Sequence, residues 1–192
     1  MNRRRVLKIA GATVVLAGGA LAWRAFDQGV FSAGSGAAYE PWKTWQVDDA
    51  LRPLRLVRAA ILAANPHNSQ PWRFRVADNA IDVFSDAGRN IGAIDPFLRE
   101  MTVGIGCALE NLLIAAASEG YAAGVTLYPD LGNPAHAAHV MLAPGTRIAS
   151  PLHDAIPLRH PNRGPYAIGR SVPAGLLDGL AALGADLPGA HV

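Results

Sequence analysis

Apolar residues recur along this chain with two different periods. Between Asp48 and Ala64, Leu51, Leu54, Val57, Ile61 and Ala64 follow at three- and four-residue steps, the signature of a helix face. Asp48 or Asp49 is placed to cap its start, and Pro53 is tolerable in a first turn, where its missing N–H has no partner to lose. Asn65-Pro66 ends it, because the residue before a proline is pushed out of the α region. Trp72 to Val76 and Ala80 to Phe84 predict two short strands joined by Asp78-Asn79, a hairpin signal. Asp95-Pro96 then opens the longest element, with Asp95 as N-cap and Pro96 at the first helical position. Its face Leu98, Met101, Ile105, Leu109, Leu112 and Leu113 runs on to Ala116, and Gly120 stops it. The side around Gly104, Gly106, Ala108 and Ala115 to Ala117 is small enough for another helix to pack closely. Strands are predicted at Val125 to Tyr128 and His139 to Leu142, and helices at Leu152 to Leu158 and Pro173 to Leu183. This order gives an α+β fold with a mixed, largely antiparallel sheet and a long central helix, not a regular βαβ alternation.

Composition changes the picture at the N-terminus. The formal charge of +2 hides an asymmetry: five of the 17 bases lie in the first 24 residues, which hold no acid. The rest carries 12 bases against 15 acids, so the body is mildly acidic and nucleic-acid binding is not indicated. With 51% hydrophobic residues, a packed core is expected. The lone Cys107 excludes an intrachain disulfide and reads as a small core residue. Arg3, Arg4, Arg5 and Lys8 precede a Gly/Ala-rich apolar run from Ile9 to Trp23, shorter than a full membrane span. Asn2-Arg3-Arg4-Arg5-Val6-Leu7-Lys8 resembles the twin-arginine export pattern, with Asn for Ser or Thr and Val for Phe. That resemblance implies recognition by the twin-arginine translocase and a periplasmic or membrane-tethered location. Residues 1–38 are then signal or anchor plus linker, and either Ala20-Leu21-Ala22 or Ser35-Gly36-Ala37 offers a cleavage site.

No GxGxxG, Walker loop, CxxC or HExxH occurs, so dinucleotide and zinc-hydrolase readings lack their motifs. His136 and His139 lie three apart in or near a strand, where that step puts them on opposite faces, and no metal site is expected. Glu110 and Glu119 read as solvated positions of the long helix, and no nucleophile–base pair is placed. The polar cluster is His67, Asn68, Ser69 and Gln70, set between a helix and Pro71-Trp72. Its amides and hydroxyl suit either of two roles: a loop that caps its own backbone, or a shelf for a planar polar ligand.

Longer stretches carry a family resemblance. Leu56 to Val76, LVRAAILAANPHNSQPWRFRV, resembles the opening helix and PSxxNxQPWxF segment of the FMN-dependent nitroreductase superfamily, departing from it at Asn65-Pro66-His67. Asp95 to Tyr121 resembles that superfamily's long central helix, in the form found in its exported, duplicated branch. Leu158 to Tyr166, LRHPNRGPY, resembles the RRSxRxF entry in which arginines hold the FMN phosphate, with Pro161 where many members have a hydroxyl. The resemblance covers about 50 to 183. It implies a nitroreductase-like fold whose first half occupies 45–150, with 151–192 as the start of an incomplete second repeat, and so an apparently truncated chain. It implies FMN as cofactor, with His67, Asn68, Ser69 and Gln70 toward the ring or ribityl chain and Arg159 and Arg163 on the phosphate, where guanidinium pairs bidentately. It further implies NAD(P)H and a nitro compound or quinone as partners, in a homodimer or a pseudo-dimer made of two repeats. No catalytic acid or base is named. The alternatives are a non-catalytic flavin-holding or sequestering protein, and a membrane-tethered fragment without cofactor.

Overall fold

The computed structural model describes residues 3–27, 31, 36–46, 52–161, 164–165 and 167–183. The chain divides into two units, residues 1–160 and 161–192. The first contains helices α1 (Arg3–Asp27), α2 (Glu40–Thr44), α3 (Arg52–Ala60), α4 (Arg99–Glu119) and α5 (Pro151–Ala155). Its strands are β1 (Trp72–Val76), β2 (Ala80–Ser85), β3 (Tyr121–Leu127) and β4 (His136–Pro144). The second holds α6 (Ala174–Leu183).

The fold is α+β: one four-stranded sheet in the order β1-β2-β4-β3, antiparallel at every pairing, and a long central helix. Alternation along the strands sends Ile81 and Val83 of β2, and Ala138, Val140 and Leu142 of β4, into the core. α4 meets them with Met101, Ile105, Ala108 and Leu112, and α3 adds Leu56, Ala59 and Ala60 from its other side. Trp45, just after α2, and Ile156, in the 3-10 turn after α5, close the same core. Each buried Leu or Ile contributes roughly 1.5–3 kcal/mol relative to exposure, so this shared core is where the fold's stability resides. α4 is long and apolar enough to cross a membrane by length and composition, yet its apolar face is this core.

Several sequence expectations hold and several shift. β1 and β2 form as expected, in register Trp72↔Ser85 to Val76↔Ile81. α3 ends at Ala60, not Ala64, because the chain tightens: Leu62 N–H donates to Ala59 O (3.2 Å) and Ala63 N–H to Ala60 O (3.1 Å). Its expected caps, Asp48 and Asp49, lie outside the described residues. α4 begins at Arg99, three residues later than the Pro96 start that the sequence suggested. Asp95 still caps it, from a distance. Its Oδ1 accepts from Glu100 N–H (3.1 Å) and its Oδ2 from Met101 N–H (2.9 Å), with the turn closed by Leu98 at φ 58°. The carboxylate is 3% exposed and satisfies two donors the helix itself leaves orphaned. Gly120, at φ 84°, ends α4 as expected, and β3 starts at the next residue rather than at Val125.

Two expectations are overturned. Glu119 is not a solvated residue: it pairs with Arg55 (3.1 Å) and Arg147 (3.7 Å) and is largely covered. His136 and His139 do not face opposite ways. β2 and β4 pair Val83↔Ala138 and then Phe84↔His136, so Ala137 is an extra residue in a β-bulge. The bulge restores His136 to the face of His139, and both ring nitrogens reach Asp82 Oδ1, His136 Nε2 at 3.0 Å and His139 Nδ1 at 2.7 Å. Partial burial raises the Asp82 pKa, but hydrogen bonds with His139 and His136 and their charges outweigh it and hold the carboxyl below its ordinary value.

The Asp95 cap is testable. Asp95→Ala leaves one buried and one part-buried N–H group without partners and should cost about 1–3 kcal/mol in urea unfolding followed by circular dichroism. An unchanged midpoint would show that α4 starts independently of this carboxylate.

Candidate functional site

The segment from Asn65 to Gln70 is a 3-10 turn, Pro66–Asn68, with an unusual backbone. His67, Asn68 and Gln70 have φ of 48°, 54° and 49°, the left-handed region where a Cβ costs about 1–2 kcal/mol per residue. Hydrogen bonds hold it there. Asn65 Oδ1 accepts from Gln70 N–H (2.8 Å), and Asn65 Nδ2 donates to Ala63 O (3.2 Å). Gln70 O accepts from both Trp72 N–H (2.8 Å) and Arg89 Nη1 (3.2 Å), and Ser69 N–H donates to Pro66 O (2.9 Å). Asn65 and Arg89 thus pin the backbone of Gln70 at both ends. Trp72 is buried directly behind the loop. Neither the Asn68 nor the Gln70 carboxamide is engaged by another described residue. The Ser69 hydroxyl is buried and has no hydrogen-bond partner among the described residues.

Beside this loop lies a cleft of about 420 Å³, lined by Ala64, Asn65 and Pro66 on one wall. Its other wall is one stripe of α4: Arg99 and Glu100, Val103 and Gly104, then Cys107. The walls stand close because Gly104 has no side chain: a Cβ there would meet Asn65 Cβ and Pro66 Cδ at 3.2 Å. Cys107, read as a core residue, is half-buried and faces this cleft while also touching the core. An exposed cation, an acid and an apolar floor therefore stand opposite Ala64 to Pro66 at the start of the loop, and none of His67 to Gln70 lines this cleft.

The residues singled out from sequence fall in different places. His67 and Asn68 are exposed, Ser69 and Gln70 half-buried, and all four share the loop. Arg159 reaches the same region: its Nη2 donates to the carbonyl of Leu62, three residues before Asn65, capping the tightened end of α3. Arg163 and its neighbour Asn162 lie outside the described residues. Sequence reading missed Asn65 and Arg89 as the residues that hold the loop. It also missed the Arg99–Cys107 stripe, for which the four-residue spacing of 99, 103 and 107 was the available signal.

Gly104 and Gly106 provide a controlled comparison. Gly106→Ala adds its Cβ to open space and should stabilise α4 by up to about 1 kcal/mol through helix propensity. Gly104→Ala gains the same propensity but must displace the Asn65–Pro66 turn, a cost of about 1–3 kcal/mol. Thermal or urea unfolding should rank Gly104→Ala below Gly106→Ala by at least about 1 kcal/mol. Equal stabilisation by both would mean the loop does not rest on α4.

No family model matches the chain. Over 117 residues it is 35% identical to "Putative NAD(P)H nitroreductase acg" of Mycobacterium tuberculosis H37Rv, covering 58% of this chain and 34% of that protein. Over 121 residues it is 32% identical to "Putative NAD(P)H nitroreductase Rv3131" of the same strain, covering 62% of this chain and 35% of the relative. A third relative, "Uncharacterized protein Rv3127", is 31% identical over 93 residues, 46% of this chain and 27% of its own. The chain spans about a third of the length of the curated relatives it matches. Through some 60% of its own length, this chain is similar to proteins that carry the name "Putative NAD(P)H nitroreductase".

Proposed function

We propose that this chain binds FMN at the Asn65–Gln70 loop and serves NAD(P)H-linked reduction of nitro compounds or quinones. The observation that carries the reading is the loop itself: a strained backbone pinned by Asn65 and Arg89, two unengaged carboxamides and a buried hydroxyl without a partner, beside a cleft. A flavin's pyrimidine edge asks for such alternating donors and acceptors, and its flat body for apolar contact. Gln70 and Asn68 would hold the polar edge, Ser69 would gain the partner it lacks, and His67 would stand at the exposed rim. Arg159 would supply charge for the phosphate by exchanging its bond to the Leu62 carbonyl, while Arg163, outside the described residues, is assigned to the phosphate by the sequence resemblance alone. The names of the relatives mention NAD(P)H and nitroreductase, which supports the reaction class and not the flavin. Bound flavin supplies hydride and electron transfer; the chain binds, orients and shields it.

A second reading is favoured by one contact. Arg159 already spends its Nη2 on the Leu62 carbonyl rather than holding it ready for a phosphate, as suits a membrane-tethered chain without cofactor. FMN titration of the purified chain, followed by quenching of flavin fluorescence, tests both readings. Gln70→Ala and Asn68→Ala should each weaken binding about tenfold, the loss of roughly one hydrogen bond. Absence of FMN binding, or unchanged affinity in both variants, overturns the assignment. NAD(P)H oxidation by the flavin-loaded protein then separates the oxidoreductase from the flavin-holding protein.

Export by the twin-arginine route is part of the same proposal. The Asn2–Lys8 pattern supports it, together with the exposure of Val14, Val15, Leu16, Leu21 and Trp23 along α1, an apolar surface that no described residue covers. Replacing Arg3 and Arg4 together by Lys should keep the protein in the cytoplasmic fraction of a host with this pathway. Export of the double variant at the original level would remove the twin-arginine reading.

A further inference from the structure

The sheet has a second face, turned away from α4. On it, β2 and β4 bring together three groups that the flavin reading does not use. We propose that Asp82, His136 and His139 bind a divalent transition-metal ion of the Zn²⁺ class. Asp82 and His139 are direct cross-strand partners, and the bulge at Ala137 carries His136 round to join them. His136 Nε2 and His139 Nδ1 stand 3.0 and 2.7 Å from the same oxygen, Asp82 Oδ1, and all three atoms lie within 4.8 Å of one another. In a tetrahedral zinc site with bonds of about 2.0 Å, ligand atoms are separated by roughly 3.3 Å. The two short distances therefore need to open by about 0.3 and 0.6 Å for an ion to enter, with the two ring nitrogens, within 4.8 Å of each other, forming the third edge.

As it stands the triad is a hydrogen-bonded group, each imidazole directing one ring nitrogen at the carboxylate. Metal binding replaces those two N–H···O contacts. Each ligating nitrogen then turns its lone pair to the ion, and a proton it carried passes to the ring's other nitrogen or to solvent. Two imidazoles and a carboxylate form a borderline nitrogen–oxygen set suited to Zn²⁺, Co²⁺, Ni²⁺ or Cu²⁺, with a fourth position left for water.

The surroundings hold the ligands in place. Phe84 stacks on the His136 ring at 4.5 Å and 22°, and both strands are hydrogen-bonded across the site. The side chains of His136, Asp82 and His139 are 15%, 17% and 32% exposed, covered enough to be ordered and open enough for an ion to reach. Arg75 is the group that opposes binding. Its Nη1 lies 3.9 Å from Asp82 Oδ2 and its guanidinium 5.0 Å from the Phe84 ring centroid. It engages the oxygen the histidines leave alone, so Asp82 would ligate through Oδ1, and its charge works against a dication.

The test uses the full, tag-free chain freed of metal, at neutral pH. Calorimetric titration with Zn²⁺ should show one ion per chain at micromolar affinity or tighter. Co²⁺ should give the visible bands of a four-coordinate nitrogen–oxygen site without the near-ultraviolet band of a thiolate, which excludes Cys107. His139→Ala and His136→Ala should each weaken Zn²⁺ binding by about 100-fold or more. Arg75→Gln should tighten it severalfold, a gain that a purely structural triad would not produce. Binding unchanged in both histidine variants overturns the proposal, as does wild-type protein with no Co²⁺ bands. Should the histidine variants fail to fold, the Co²⁺ spectrum of the wild type and the Arg75→Gln affinity decide alone.

Discussion

The first unit depends on how narrow α4 is along one side. Gly104, Ala108, Ala115 and Ala116 are all buried and carry little or no side chain, so neighbours approach its axis closely. α3 comes near enough for Asn111 Nδ2 to donate across the gap to Ala59 O (3.1 Å), a carbonyl of the partner helix's last turn. The Asn65–Pro66 turn rests on Gly104, and the sheet packs through Val83, Val140 and Ala138. At 21 residues α4 is roughly 31 Å long, so one helix carries the polar loop near its start and the Arg55–Glu119–Arg147 cluster at its end. Asp95 fixes where it begins and Gly120 where it turns back. Between those two residues, larger side chains would push the loop and the sheet apart together.

Much of this fold was legible because its elements announce themselves locally. β1 and β2 alternate cleanly, α4 has a long apolar period, and Gly120 marks its end. The misses have a common cause, which is that their determinants are tertiary or local in geometry. Asp95-Pro96 looks like an N-cap and first residue, yet the chain inserts one more turn and lets the same carboxylate reach donors five and six residues on. β3 begins four residues early because it is an edge strand with no fully buried residue, so no alternation marks it. The bulge at Ala137 leaves no mark in composition at all. It changes which face two histidines share, because a period-two argument inverts with each inserted residue.

The candidate site was half legible. His67 to Gln70 stood out by chemistry, since four polar side chains between two core elements are conspicuous. The neighbouring cleft was not visible, because the stripe from Arg99 to Cys107 becomes a wall only when α4 packs beside Asn65 and Pro66. Arg159 was visible as a cation, but not that it spends its guanidinium on a helix-end carbonyl. A sequence pattern places arginine near a phosphate only by resemblance; the competing acceptor is a backbone oxygen that any residue could have presented.

The backbone of the loop bears on which of its two roles is correct. If Asn65 to Gln70 were only a turn, glycine at the left-handed positions would serve it at the least steric cost. Instead they hold His67, Asn68 and Gln70, of which Gln70 has the weakest reason to be there, since Asn and His tolerate this region better than most residues. Three such residues cost a few kcal/mol together, a sizeable share of the 5–15 kcal/mol by which domains are stable. The bonds from Asn65, Trp72 and Arg89 offset that cost, but they engage backbone atoms and would form equally well with glycine in the loop. The side chains themselves therefore need another reason, and within the described residues their amides have none. Strain retained for side chains that the fold does not use is the physical argument for a ligand at this loop.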